Sequence, residues 1–192
     1  MGKVLEFYKG ERPNQEGLYL KDIMNFRHDD LEYNHSYIQW LFPLVEPSLV
    51  IPDSPVLEND DIEAFAPSWG SVEEMKEKIK LRKSLIDSFN KMISFYGLKL
   101  SLYYKNGEQV HSVKLIRDPR AFEDKAKNWL TPKNHNFLRI TRILTSLMLL
   151  GNESTAKMLH ECLCDIYEDY KGTIGPLTKQ FWDEAMEIKN EQ

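Results

Sequence analysis

HNFLRITRILTSLMLLG, residues His135 to Gly151, reads as a buried helix with one charged edge. Phe137, Ile140, Leu144 and Leu147 recur at intervals of three and four and make one apolar stripe. Ile143, Met148, Leu149 and Leu150 widen the stripe until the last two turns are apolar nearly all round. A helix of that kind sits inside a protein. His135, Arg139 and Arg142 share one edge of it. Two arginines at a core boundary need a carboxylate, a carbonyl or a bound anion, because an unpaired buried charge costs several kcal/mol. The stretch therefore predicts a helical fold and leaves open what holds its guanidiniums.

Working outward, Asp118-Pro119 predicts the start of a helix carrying Phe122, Ala126 and Trp129, and Thr131-Pro132 the start of the 135–151 helix. Before these, Leu98, Leu100, Leu102 and Tyr104 alternate, Asn106-Gly107 is a hairpin turn signal, and Val113 and Leu115 return the second strand. A long helix precedes the hairpin. Ser71 with Glu74 opens it as a capping box and Gly97 closes it. Its stripe is Val72, Met75, Ile79, Ile86, Phe89, Ile93 and Tyr96, and Arg82 on that stripe reads as a stem on the core with its head in water. Asn59 or Asp60 caps a short helix with Ile62 and Phe65 inward. Residues 43–56 hold four prolines and form a stiff surface loop, in which Leu49, Val50 and Ile51 want burial.

A second buried helix is predicted from Asp29, with Glu32 as its capping partner, to Pro43. Leu31, His35, Ile38 and Phe42 make one of its faces and Tyr33, Tyr37 and Trp40 the other. Residues 4–20 read as a looping arm, and Leu20, Ile23 and Phe26 as a short helix. After Gly151, one helix begins at Ser154 with Leu159, Leu163, Ile166 and Tyr170 inward and ends at Gly172. The last begins near Pro176 with Leu177, Phe181, Ala185 and Ile188 inward. The expected fold is mainly α: one compact multi-helix domain over residues 1–192, with a small β-hairpin near 98–116. The helices of 152–192 are expected to pack on the rest.

The chain has 192 residues, 42% of them hydrophobic, so a core is available, and its net charge is −5. The densest basic run, Lys76 to Lys83, follows Glu73 and Glu74, contains Glu77, and reads as a solvated helix face. Nucleic-acid binding, which wants a net basic patch, is therefore not expected. Cys162 and Cys164, two apart on a helix, do not bridge easily, and two cysteines fit a reduced, intracellular and cytoplasmic setting. No run reaches the eighteen or so apolar residues of a transmembrane helix. MGKVLEF is too charged and short for a signal peptide, and Glu6 stands where a myristoylation motif wants Ser or Thr.

No Gly-rich phosphate loop, nucleophile elbow or kinase motif is present, and no cofactor is expected. HECLC at 160–164 places His160 and Cys164 one turn apart, but with no second ligand pair a metal site is not expected. The candidate ligand-binding residues are His35, Gln39 and Trp40 on one buried helix and His135, Asn136, Arg139 and Arg142 on the other. If the helices pack together, imidazole, amide and guanidinium groups converge. They would then form either a satisfied polar network or a site for a carboxylate or phosphate, which suits the planar fork of arginine.

Two longer blocks carry a resemblance. HSYIQWLFP, His35 to Pro43, and HNFLRITRIL, His135 to Leu144, resemble the two main blocks of the opioid growth factor receptor conserved region. FYKGERP at 7–13 and SFYG at 94–97 agree in order with further landmarks of that family. The similarity spans about residues 5–151. It implies a helical domain whose animal namesake binds the enkephalin pentapeptide and is nuclear or perinuclear. The resemblance supplies no catalytic or ligand residues. The reading it favours is a binding module for a peptide or protein. The alternatives are an enzyme acting on an anionic small molecule, with His35 or His135 as acid or base and Arg139 with Arg142 as clamp, and a purely structural interaction domain.

Overall fold

The structure, a computed structural model, describes residues 2–49, 51–67, 70–105 and 108–188, and of residues 103–105 and 108–112 the backbone alone. Five short helices come first: α1 (Lys3–Tyr8), α2 (Leu20–Met24), α3 (His28–Tyr33), α4 (Tyr37–Leu41) and α5 (Asn59–Phe65). The long α6 (Val72–Phe95) follows, then an antiparallel hairpin of β1 (Leu98–Lys105) and β2 (Glu108–Arg117). Four helices complete the order: α7 (Phe122–Trp129), α8 (Asn136–Leu149), α9 (Glu153–Ile174) and α10 (Pro176–Ala185). Helix makes up more than half of the chain, and the hairpin is the only sheet among the described residues. The mainly α class is as the sequence predicts. The Asn106-Gly107 turn lies outside the described residues.

The N-terminal third departs from the expectation. Residues 3–8 form a helix instead of an arm, because Val4, Leu5, Phe7 and Tyr8 present one apolar face and all four are buried. The predicted 29–43 helix is two helices. Asn34 breaks it: its side-chain oxygen accepts from Ser36 N at 2.8 Å, Ser36 Oγ at 2.9 Å and Tyr37 N at 3.3 Å, which offers the backbone an alternative to the helix ladder. Tyr33 and His35 are consequently exposed. The helix start is also displaced, with Asp30 instead of Glu32 accepting from the Arg27 N–H at 2.7 Å. Leu49 is 98% exposed, so the loop does not bury it.

The Ser71–Glu74 box starts α6 as predicted. Its buried stripe begins later, with Leu81, Leu85, Phe89, Met92 and Ile93 inward, while Val72 and Ile79 are exposed because the first two turns of α6 extend beyond the core. The helix stops at Gly97, with φ +75, where a Cβ would stand 2.8 Å from the Phe122 backbone. On α10 the inward residues are Trp182 and Ala185, not Leu177 and Phe181. α9 continues past Gly172 to Ile174, with a kink at Tyr170.

α8 is the centre of the packing. Ten of its residues are buried, and it packs against α9 and α10. An edge-on aromatic series runs through it: Tyr96 to Trp129 at 5.3 Å, Trp129 to Phe137 at 6.5 Å and Phe137 to Trp182 at 6.1 Å. The Trp129 indole donates to Tyr96 O and the Trp182 indole to Phe137 O, so both large rings are buried without an orphaned N–H. No helix among the described residues is long and apolar enough to cross a membrane.

Candidate functional site

The break at Asn34 leaves the last carbonyls of α3 without intrahelical partners. Arg139, 5% exposed, fills that position from α8. Its Nη1 donates to Leu31 O at 2.9 Å and to Asn136 Oδ1 at 3.2 Å, and its Nη2 donates to Asn34 O at 3.0 Å. The guanidinium also lies 5.6 Å from the Tyr37 ring centroid and 4.0 Å from Glu32 Oε2. A cation at a helix C-terminus meets the negative end of the helix dipole, which adds to the hydrogen bonds. Arg142 does the same for α4, donating to Phe42 O at 3.2 Å.

Glu32 is the anionic hub. It accepts from Asn136 Nδ2 at 3.1 Å and stands 3.6 Å from His135 Nε2. The His35 and His135 rings are 5.1 Å apart. Burial holds the His135 imidazole below its ordinary pKa, and the Arg139 charge adds to this, together outweighing Glu32. The structure thus gathers His135, Asn136 and Arg139 around Glu32, with His35 against the His135 ring. It places Gln39 and Trp40 on other partners. The Gln39 amide lies against the carbonyls of His35 and Ser36, to which its NH2 donates at 3.0 and 3.2 Å. Trp40 packs on Phe7 and donates to Gln15 Oε1 at 2.5 Å.

Arg82 answers to the same rule, and its partly buried head is bonded to protein oxygens. It donates to Phe65 O, the last carbonyl of α5, at 2.8 Å, to Gly151 O at 3.3 Å and to Asn152 Oδ1 at 3.1 Å. Lys91 on α6 donates to Met24 O and Phe26 O at the end of α2. Cations on α6 and α8 therefore cap the C-terminal ends of α2, α3, α4 and α5.

The concave surface lies elsewhere, beside α6. A cavity of about 860 Å³ there is lined by Tyr8, Tyr19, Leu20 and Met24 with Lys9, Lys21, Asp87, Asn90 and Lys91. Two smaller ones, about 430 and 310 Å³, share Lys9, Glu77 and Leu81, and the first of them also shares Tyr8 and Ser84 with the cavity of about 860 Å³. Together they form a furrow along α6 from Glu74 to Lys91, bridged by the Lys9–Glu77 ion pair at 3.2 Å. None of the three is lined by the His/Arg cluster. The sequence reading missed the furrow because it took residues 4–20 for a loop. The signal was the spacing of Val4, Leu5, Phe7 and Tyr8.

Residues 2–166 match the conserved region of the opioid growth factor receptor. The chain belongs to the opioid growth factor receptor family. It is 35% identical over 170 residues to opioid growth factor receptor-like protein 1 of Rattus norvegicus, covering 84% of this chain and 32% of that protein. It is 37% identical over 155 residues to the opioid growth factor receptor of Mus musculus, covering 78% and 21%. To opioid growth factor receptor-like protein 1 of Xenopus tropicalis it is 34% identical over 186 residues, covering 95% and 29%. The chain therefore spans about a third or less of the length of these relatives. No solved structure matches it. The family match reaches further than the resemblance in the sequence, into α9, and includes every element that borders the furrow. The two blocks that carry the opioid growth factor receptor resemblance are bonded to each other, since Arg142 donates to Phe42 O and the His35 and His135 rings adjoin.

Proposed function

We propose that this opioid growth factor receptor domain is a binding module for a peptide or protein segment, and that the segment lies in the furrow beside α6. The observation that carries the reading is the furrow itself: apolar surface from Tyr8, Tyr19, Leu20 and Met24 bordered by charges of both signs. A few polar groups placed around apolar walls are the usual composition of a ligand site. From Glu74 to Lys91 the wall is about 26 Å long at the helical rise, which matches about eight residues of extended peptide. The name of the mouse relative, opioid growth factor receptor, agrees with a binding role.

The anion-binding and enzyme readings of His35, His135, Arg139 and Arg142 would require Arg139 to leave the Leu31 and Asn34 carbonyls. The two free thiols fit a reduced intracellular compartment, and burial pushes the Cys162 thiol up to about 12.

The test is fluorescence anisotropy with an enkephalin-type pentapeptide and with peptides selected from a random display library. Met24→Arg and Asn90→Arg, each placing a bulky cation in the cavity of about 860 Å³, are expected to weaken a bound peptide by tenfold or more with an unchanged melting temperature. Selected peptides that bind both variants as well as the parent chain would overturn the furrow assignment. Failure to select any peptide would overturn the binding-module reading.

A further inference from the structure

A second group of reactive side chains lies where α9 meets α10. His160 and Cys164 stand one turn apart on α9, and the fold brings Asp183 from α10 against them, a third ligand that spacing in the sequence does not reveal. His160 Nε2 is 2.6 Å from Asp183 Oδ1, and Cys164 Sγ is 3.8 Å from both ring nitrogens of His160. One donor atom from each residue lies within 4.8 Å of the others. We propose that His160, Cys164 and Asp183 bind a zinc-class divalent cation that clamps α10 to α9.

The donor set is imidazole nitrogen, thiolate sulfur and carboxylate oxygen, which is the set zinc takes, and the sulfur selects against magnesium and calcium. Sulfur and nitrogen on one tetrahedral zinc are about 3.6 Å apart, given their bond lengths. The 3.8 Å here is close to that spacing and too long for a firm thiol hydrogen bond. The His160–Asp183 pair has to open by about 0.7 Å, and the Cys164 and Asp183 donor atoms, within 4.8 Å of each other, have to settle at about 3.6 Å. Three protein ligands leave a fourth position for water.

A cation already occupies this corner. The Lys179 ammonium donates to Asp183 Oδ1 and Oδ2 at 2.5 and 2.6 Å. Lys179 reaches the surface, so its stem can swing out as a metal enters. Lysine and metal therefore compete for one carboxylate. The clamp has a structural consequence, because α10 also carries Trp182, the ring that seats on Phe137 of α8.

The experiment titrates the full chain with zinc, with cobalt as a spectroscopic substitute and with magnesium as control. One zinc per chain is expected to bind and to raise the melting temperature, and magnesium to do neither. Cobalt is expected to give a near-ultraviolet thiolate charge-transfer band and the visible bands of a tetrahedral site. Cys164→Ser should remove the thiolate band. His160→Gln and Asp183→Asn should each weaken zinc by more than about 100-fold, since even outer-shell changes cost about 10–100-fold. Lys179→Met should tighten zinc by removing the competing ammonium. Circular dichroism of the metal-free variants separates ligand loss from unfolding, and the cobalt spectrum of the parent chain decides the matter even if a variant fails to fold. No thiolate band at saturating cobalt, zinc affinity unchanged in Cys164→Ser and His160→Gln, or weaker zinc binding by Lys179→Met would each overturn the site.

Discussion

The two halves of this molecule make helices in different ways. After residue 71, α6, α8 and α9 run for 24, 14 and 22 residues and bury long apolar stripes. Before it, α1 to α5 have five to seven residues each. Helices below about 12–15 residues are marginal by themselves, because nucleation is unfavourable and few bonds follow it. The short helices compensate at their ends. At the N-terminal side Asp22, Asp30 and Asp61 each accept from the backbone N–H three residues earlier, at 2.9, 2.7 and 3.0 Å. At the C-terminal side Lys91, Arg139, Arg142 and Arg82, all on long helices, donate to the loose carbonyls of α2, α3, α4 and α5. The long helices stand on packing, and the short ones stand on the long ones.

The comparison breaks most sharply at Arg139. Arg139→Met orphans the Asn34 carbonyl, leaves Leu31 O with the Tyr37 hydroxyl as its remaining donor, and leaves Glu32 without its buried cation. It is expected to destabilise the chain by about 3–5 kcal/mol in chemical denaturation. A ligand-serving arginine would show no loss. Next, Leu144→Ala on α8 and Ile38→Ala on α4, both fully or nearly fully buried, should each cost about 2–5 kcal/mol. A loss confined to Leu144→Ala would mean that α4 is an appendage. Arg82→Met removes charged hydrogen bonds to Phe65 O and Gly151 O and should cost about 1.5–3 kcal/mol. Ile79→Ala is the control on the same helix. Its side chain is 65% exposed, so the change should stay within about 0.5 kcal/mol.

The smallest expected effect is on pH dependence. His135 has a folded pKa held below 6.5 by burial and Arg139, so below 6.5 the unfolded chain binds more protons than the folded one. Stability then falls as pH drops from 6.5 through the folded value. His28, depressed by burial and by Lys125 and Lys91, acts in the same window. His135→Gln should shrink the acid-side loss and leave the His28 part. An identical pH profile in the variant would show that His135 does not titrate below its ordinary value.

The difference between the halves also explains what was legible in the sequence. α8 was readable because its stripe and its stop lie within seventeen residues, and α6 started where Ser71 and Glu74 said it would. The break at Asn34 was not readable, because helical spacing continues through it from Leu31 to Phe42. Only the competing side-chain bonds of Asn34 decide it. The sequence posed the question of the arginines and allowed carbonyls as an answer, but the carbonyls lie about a hundred residues away. Asp183 at the His160–Cys164 pair was invisible for the same reason. The furrow needs α1, which a loop reading of residues 4–20 concealed.

Native-state amide hydrogen exchange of the parent chain and Arg139→Met, followed by peptide mass spectrometry, tests the central claim most directly. If the long helices hold the short ones through their cations, the peptide covering 28–34 loses protection by a much larger factor than the peptide covering 153–166, because α3 opens locally without its cap. Equal loss of protection in both peptides, or none in either, would contradict it.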